Sequence, residues 1–190
     1  WVEPEQKDYI DFTHRIPQLI NIYNKEGWNY AKHILDVEGA VKSDAANKCA
    51  IVELSTVDNS DIRYTLDGTE PNENSSLYKE PIRLDSTCVI KAVAMRKNGN
   101  SKIYSDSVLF GKTTFKPVTI LTNPHPRYGG RGATMLNDGK LGMIGYNSGE
   151  WIGFYNEDLV VVFDLEQTET VSHALARVLA EVGSWIFDAT

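Results

Sequence analysis

The spacing of apolar positions changes twice along the chain. In the first stretch they recur at Tyr9, Phe12, Ile16, Leu19, Ile20 and Tyr23. Gaps of three and four residues place these side chains on one face of a helix. Gly27, after Lys25 and Glu26, predicts the C-terminal stop. Pro17 lies inside the pattern. It predicts a kink or the start of a second helix, because it has no N–H and clashes with the preceding turn. The one-sided face has no partner within residues 1–36, so it is expected to pack on a later part of the chain or on something outside it.

From Ala31 the period becomes two. Strands are predicted over residues 33–42, 48–55, 62–67, 81–84, 87–95 and 103–110. Turn signals separate them at Asp58-Asn59, Asp67-Gly68 and Asn98-Gly99. Short strands at this spacing, with no helical pattern between them, predict an antiparallel two-sheet sandwich. In the fifth strand Cys88, Ile90, Ala92 and Ala94 share the inner face and Lys91 points the other way. In the second, Ala50, Val52 and Leu54 face inward, which turns Cys49 outward with Glu53. An inter-sheet disulfide needs both side chains in the core, so two separate thiols are expected rather than a Cys49–Cys88 bridge. Beyond the sandwich, strands are predicted over residues 115–122, 160–164 and 171–182, the second as a buried apolar run.

Composition narrows the function classes. The chain has 190 residues, 19 Lys plus Arg against 26 Asp plus Glu, and a net charge of −7. That balance and the lack of a basic tract argue against a nucleic-acid partner. No apolar run approaches the roughly 18–20 residues of a membrane helix, and the start, Trp-Val-Glu-Pro, is not that of a signal peptide. Two cysteines are too few for a disulfide scaffold or a four-Cys zinc site. His14, His33 and His173 have no partners at metal-ligand spacing and read as ordinary helix or strand residues. Gly129-Gly130-Arg131-Gly132 lacks the Lys-Ser/Thr of a phosphate loop. Neither a Ser-His-Asp order nor a Gly-x-Ser-x-Gly elbow occurs. No catalytic residue is therefore assigned.

Three stretches resemble known families. The run Tyr64-Thr65-Leu66-Asp67-Gly68-Thr69-Glu70-Pro71, with Ser75-Ser76-Leu77-Tyr78 and Pro81-Ile82, resembles the chitobiase/β-hexosaminidase C-terminal domain over about residues 38–112. That domain is a small immunoglobulin-like sandwich appended to bacterial glycoside hydrolases. Trp1-Val2-Glu3-Pro4, Asp11-Phe12, Arg15, Pro17 and Gly27-Trp28-Asn29-Tyr30 look like the end of a family 20 glycoside hydrolase barrel. The acidic pair of that family's Gly-Gly-Asp-Glu motif is absent, since Gly129-Gly130 is followed by Arg131-Gly132. Leu136-Asn137-Asp138-Gly139, Gly149-Glu150-Trp151-Ile152-Gly153, Val161-Val162-Phe163-Asp164-Leu165, Val171 and Val178 resemble the first half of a discoidin-like (coagulation factor 5/8 type C) domain.

Together these imply a mostly β chain in three parts. Residues 1–37 would be the last helix of a catalytic barrel and 38–115 the immunoglobulin-like β-sandwich. Residues 116–190 would be a partial discoidin-like jelly-roll β-sandwich. The implied role is a non-catalytic accessory region of a secreted, periplasmic or cell-surface bacterial β-N-acetylhexosaminidase. Its partners would be the missing barrel and glycans containing N-acetylhexosamine or galactose. The alternative is a stand-alone carbohydrate-binding or adhesion module. Trp1 is expected not to be a natural start, since the initiator Met is missing, and Thr190 not to be the natural end of the third domain, because a half sandwich carrying Trp185, Ile186 and Phe187 leaves apolar surface open.

Candidate sugar-binding residues are Tyr128 and Arg131, beside His125 and three glycines, with Tyr146 and Tyr155 as further candidates. An aromatic next to an arginine suits stacking and hydrogen bonding to a glycan; the other reading is a solvated loop. Trp151 offers a face on which a sugar could stack, but the favoured reading is core. Asp138 stands where many discoidin-like sugar binders place a calcium ligand, and calcium needs six to eight oxygens. No other cofactor is expected.

Overall fold

A computed structural model of the chain describes residues 6–97 and 99–187. Trp1-Val2-Glu3-Pro4, Asn98 of the Asn98-Gly99 turn, the Thr190 end and the side chain of Tyr9 lie outside the described residues.

One helix, α1 (Gln6–Glu26), contains Pro17 and remains a single element, so the second-helix alternative is set aside. Its stop follows from Gly27, which takes φ +71°. With that residue left-handed, the Trp28 amide donates to the Tyr23 carbonyl at 2.8 Å. The Tyr23 and Trp28 rings stack with centroids 5.4 Å apart. This is a Schellman-type end with its apolar contact. Ile16 and Ile20 of the predicted face are buried, whereas Phe12 and Leu19 are exposed.

The remainder is mostly β. The sandwich strands are β1 (Glu38–Asp44), β2 (Cys49–Ser55), β3 (Ile62–Thr65), β4 (Ser76–Leu77), β5 (Ile82–Leu84), β6 (Cys88–Ala94) and β7 (Tyr104–Val108). They form a three-stranded sheet in the order β1-β2-β5 and a four-stranded sheet in the order β4-β3-β6-β7. Two later strands, β8 (Val118–Ile120) and β9 (Val161–Phe163), pair antiparallel. The chain divides into two compact units. The first comprises Trp1–Val41, Val52–Ile82 and Cys88–Asp106; the second comprises Lys42–Ile51, Arg83–Thr87 and Ser107–Thr190.

The first unit buries Val37, Val41, Val52, Leu54, Ile62, Ile90, Ala92 and Ala94. Strand β6 pairs antiparallel with β3, with Ile62 opposite Ala94 and Tyr64 opposite Ala92. Val93, on the other face, is also buried; it lies opposite Arg63, whose aliphatic stem stands on the same side of the sheet. The Asp67-Gly68 turn forms as predicted, with Asp67 Oδ1 accepting from the Thr69 amide at 3.0 Å and its hydroxyl at 2.6 Å. Arg96 ties three segments together. Its Nε and Nη2 donate to the two Asp58 oxygens at 2.8 Å each, and Nη2 also donates to the Leu35 carbonyl at 2.8 Å. This fork holds the Asp58 carboxyl far below its ordinary range.

The second unit buries Cys49, Ala50, Leu84, Val108, Asn137 and Asp138. Asn137 fastens the start of its long loop region. Its side-chain amide donates to the Thr113 and Lys116 carbonyls at 2.6 and 2.8 Å, while its own carbonyl accepts from the Phe115 amide at 3.0 Å.

Four expectations are corrected. Residues 33–42 are not one strand: Lys32–Leu35 is a 3₁₀ turn and pairing begins at Glu38. Between them Asp36 accepts the Lys102 amide at 3.0 Å, which fixes the segment as a connector. Cys49 is fully buried, not outward, so the start of β2 is covered on both faces; the two thiols are free, as expected. The 160–164 run forms β9, but Val160 and Val162 are exposed, because a two-stranded ribbon has no layer over its outer face. Residues 171–180 carry no strand, because alternation without an edge to pair with leaves the backbone unsatisfied.

Candidate functional site

In the second unit two glycine-containing loops converge on an open concavity of about 440 Å³, lined by Arg127, Tyr128, Gly130, Arg131, Tyr146, Asn147, Gly149 and Trp151. Its framework is backbone. The His125 amide donates to the Gly153 carbonyl and the Gly153 amide to the Tyr128 carbonyl, both at 2.8 Å. This reciprocal pairing clips the short turn Pro126–Tyr128 to the segment after Trp151. Gly130 has φ +56°, and a Cβ there would meet Met135 Sδ at 2.6 Å and the Trp151 carbonyl at 3.1 Å. Only glycine lets these two loops approach so closely.

The aromatic walls are held in fixed relation. Tyr128 and Tyr146 meet edge to face, with centroids 6.2 Å apart and planes at 84°. His125 backs Tyr128 at 5.2 Å, and its Nδ1 accepts the Arg127 amide at 3.2 Å. Trp151 donates through Nε1 to the Met143 carbonyl at 2.7 Å. Its ring lies against Gly142, where a Cβ would come within 2.8 Å of it. The indole is thus anchored by its polar edge and half-buried, leaving it as lining rather than core.

Charge is arranged behind the lining. Lys140 Nζ donates to Glu150 Oε1 at 2.7 Å, and the Met143 amide donates to Glu150 Oε2 at 2.9 Å. Burial pushes the Glu150 carboxyl up, but the Lys140 hydrogen bond, the Met143 amide and the charges of Lys140 and Arg131 together more than offset this, so it ionises below its ordinary value. Asp138 accepts the Lys140 amide at 3.0 Å on Oδ1 and Arg131 Nη2 at 3.3 Å on Oδ2. Its carboxyl is pushed up, because burial outweighs these donors.

The structure therefore places Tyr128, Arg131 and Tyr146 in one lining and His125 directly behind it. Tyr155 is exposed and outside the lining. Arg127 and Asn147 are additional members that the residue pattern did not single out, and Trp151, read as core, belongs to the lining instead. The signal for Trp151 was its place between Gly149 and Gly153. Asp138 does not fit a calcium ligand here, because both oxygens already face donors and Lys140 and Arg131 bring positive charge. Among the described residues no group of three His, Cys, Asp or Glu side chains could hold a metal ion. No helix among them is long and apolar enough to cross a membrane.

Stacking faces, guanidinium donors and a carboxamide are the combination that holds a sugar ring: C–H faces lie on aromatics and hydroxyls meet the polar groups. No curated protein matches the chain. Residues 52–108 match the family model described as Fn3 associated, a fibronectin type III-associated β-sandwich often found with glycoside hydrolases.

Proposed function

We propose that this chain is a non-catalytic, carbohydrate-binding accessory region of a secreted β-N-acetylhexosaminidase. In this reading residues 1–37 are the end of the enzyme's barrel, 38–115 the sandwich that spaces it, and 116–190 the start of a discoidin-like sugar-binding domain. The reading rests above all on the Tyr128–Tyr146–Trp151 concavity, set in the same chain as a sandwich of a kind often found with glycoside hydrolases. The exposed Phe12 and Leu19 on α1 favour it over a stand-alone adhesion module, because that helix keeps apolar surface for a further partner.

Glycan binding by the 190-residue chain is the test. Calorimetric titration with oligosaccharides containing N-acetylhexosamine or galactose is expected to show millimolar or tighter binding. Tyr128→Ala and Trp151→Ala should each weaken it about tenfold or more, as loss of a stacking face does. Absence of binding to every such glycan would overturn the sugar-binding role.

A further inference from the structure

The lining of the concavity contains two arginines and no carboxylate. This is unexpected in a chain of net charge −7. The nearby acidic groups are already occupied. Glu150 is held by Lys140 and the Met143 amide, and Asp138 by the Lys140 amide and a single long contact to Arg131. The Arg131 side chain is 56% exposed despite that contact, so most of its five donors remain available. Among the described residues no ion pair engages Arg127, whose backbone is clipped by His125 Nδ1. Tyr128 stands between the two arginines in sequence and supplies a stacking face beside them.

A neutral sugar needs hydroxyl partners, which Asn147 and one arginine would supply. Two guanidiniums on one short loop match a group with two or three acceptor oxygens and a negative charge. We infer that the concavity binds an acidic glycan, with a carboxylate or sulfate held between Arg127 and Arg131 and the sugar ring resting on Tyr128. This rests on the sugar-binding reading above and adds the class of sugar.

The experiment uses the whole chain and three probes: a glucuronyl-GlcNAc disaccharide, its neutral glucosyl-GlcNAc counterpart and a sulfated GlcNAc. At least one anionic probe should bind about tenfold more tightly than the neutral one, and the excess should shrink as salt rises. Comparing the carboxylate and sulfate arms distinguishes the two sources of charge. Arg127→Gln and Arg131→Gln should each lower the ratio of anionic to neutral affinity, because glutamine keeps a hydrogen-bond donor but no charge, with folding checked by thermal melts. Equal binding of neutral and anionic probes, or a preference that survives both substitutions, would overturn the inference and leave sugar binding standing. No binding of any probe would overturn the inference, and the sugar-binding reading with it when the galactose-containing glycans also fail to bind.

Discussion

At the scale of single residues, Asp58 and the cysteines carry the clearest consequences. The Asp58–Arg96 pair is largely enclosed, with side chains 17% and 14% exposed. Removing one partner strands the other in low dielectric. Asp58→Ala should cost about 2–3 kcal/mol at neutral pH, read by urea unfolding. The sign with pH is set by the depressed carboxyl. Its contribution is fully present above the ordinary value of 3.8 and is lost as pH falls below that toward the folded-state value. The gap between wild type and Asp58→Ala should therefore narrow on acidification below 3.8; a constant gap would show that the ion pair is not its source. For the thiols, both free, thiol titration under denaturing, non-reducing conditions should count two per chain. In the native state Cys49 should react only as fast as the protein opens, since it has no exposed surface. Burial also raises the Cys88 thiol above its ordinary range, which slows its reaction at neutral pH.

At the scale of elements, β1 and β7 meet at one unusually close point. A Cβ at Gly39 would overlap the Tyr104 ring. Tyr104 is half-buried and donates to Asp106 at 3.1 Å, and its hydroxyl is pushed to ionise well above the ordinary range by burial and then by Asp106. A glycine inside a strand weakens it in isolation, so its presence marks this approach. Gly39→Val should destabilise the protein by about 1–3 kcal/mol, the usual size of overpacking. Combining it with Tyr104→Ala should cost clearly less than the sum of the two, because deleting the ring relieves the overlap that the valine creates. Additive losses in chemical unfolding would mean that the two side chains do not share that space.

At the scale of the whole molecule, the paired strands carry most of the buried core and the loop region carries the concavity. Among the described residues the acidic groups next to the concavity, Asp138 and Glu150, are each tied to a cation. The chain alone should therefore release no detectable chromophore from an aryl N-acetylglucosaminide. Turnover that co-purifies with the chain and is lost in a variant of one of its own carboxylates would refute the non-catalytic assignment.

Local patterns were readable wherever the deciding forces were local. The i, i+3, i+4 spacing before Gly27 specified α1 and its end, since capping involves residues only a few positions apart. Alternation through Ile90, Ala92 and Ala94 specified β6, because one face of that strand is uniformly buried. The aromatic and arginine residues at 128, 131 and 146 stood out as chemistry set in glycine loops. Where a distant segment intervened, pattern alone misled. Asp36 is claimed by an amide 66 residues away, which ends the strand pattern that runs through it. Cys49 is covered on the face that alternation assigns to solvent. Residues 171–180 alternate like a strand, yet a strand exists only where another edge supplies its hydrogen bonds. Trp151 reads as core by type; the bond to the Met143 carbonyl and the space at Gly142 turn it into a wall of the groove. Periodicity records which side of an element is apolar, whereas closure of loops and occupation of edges depend on partners far along the chain.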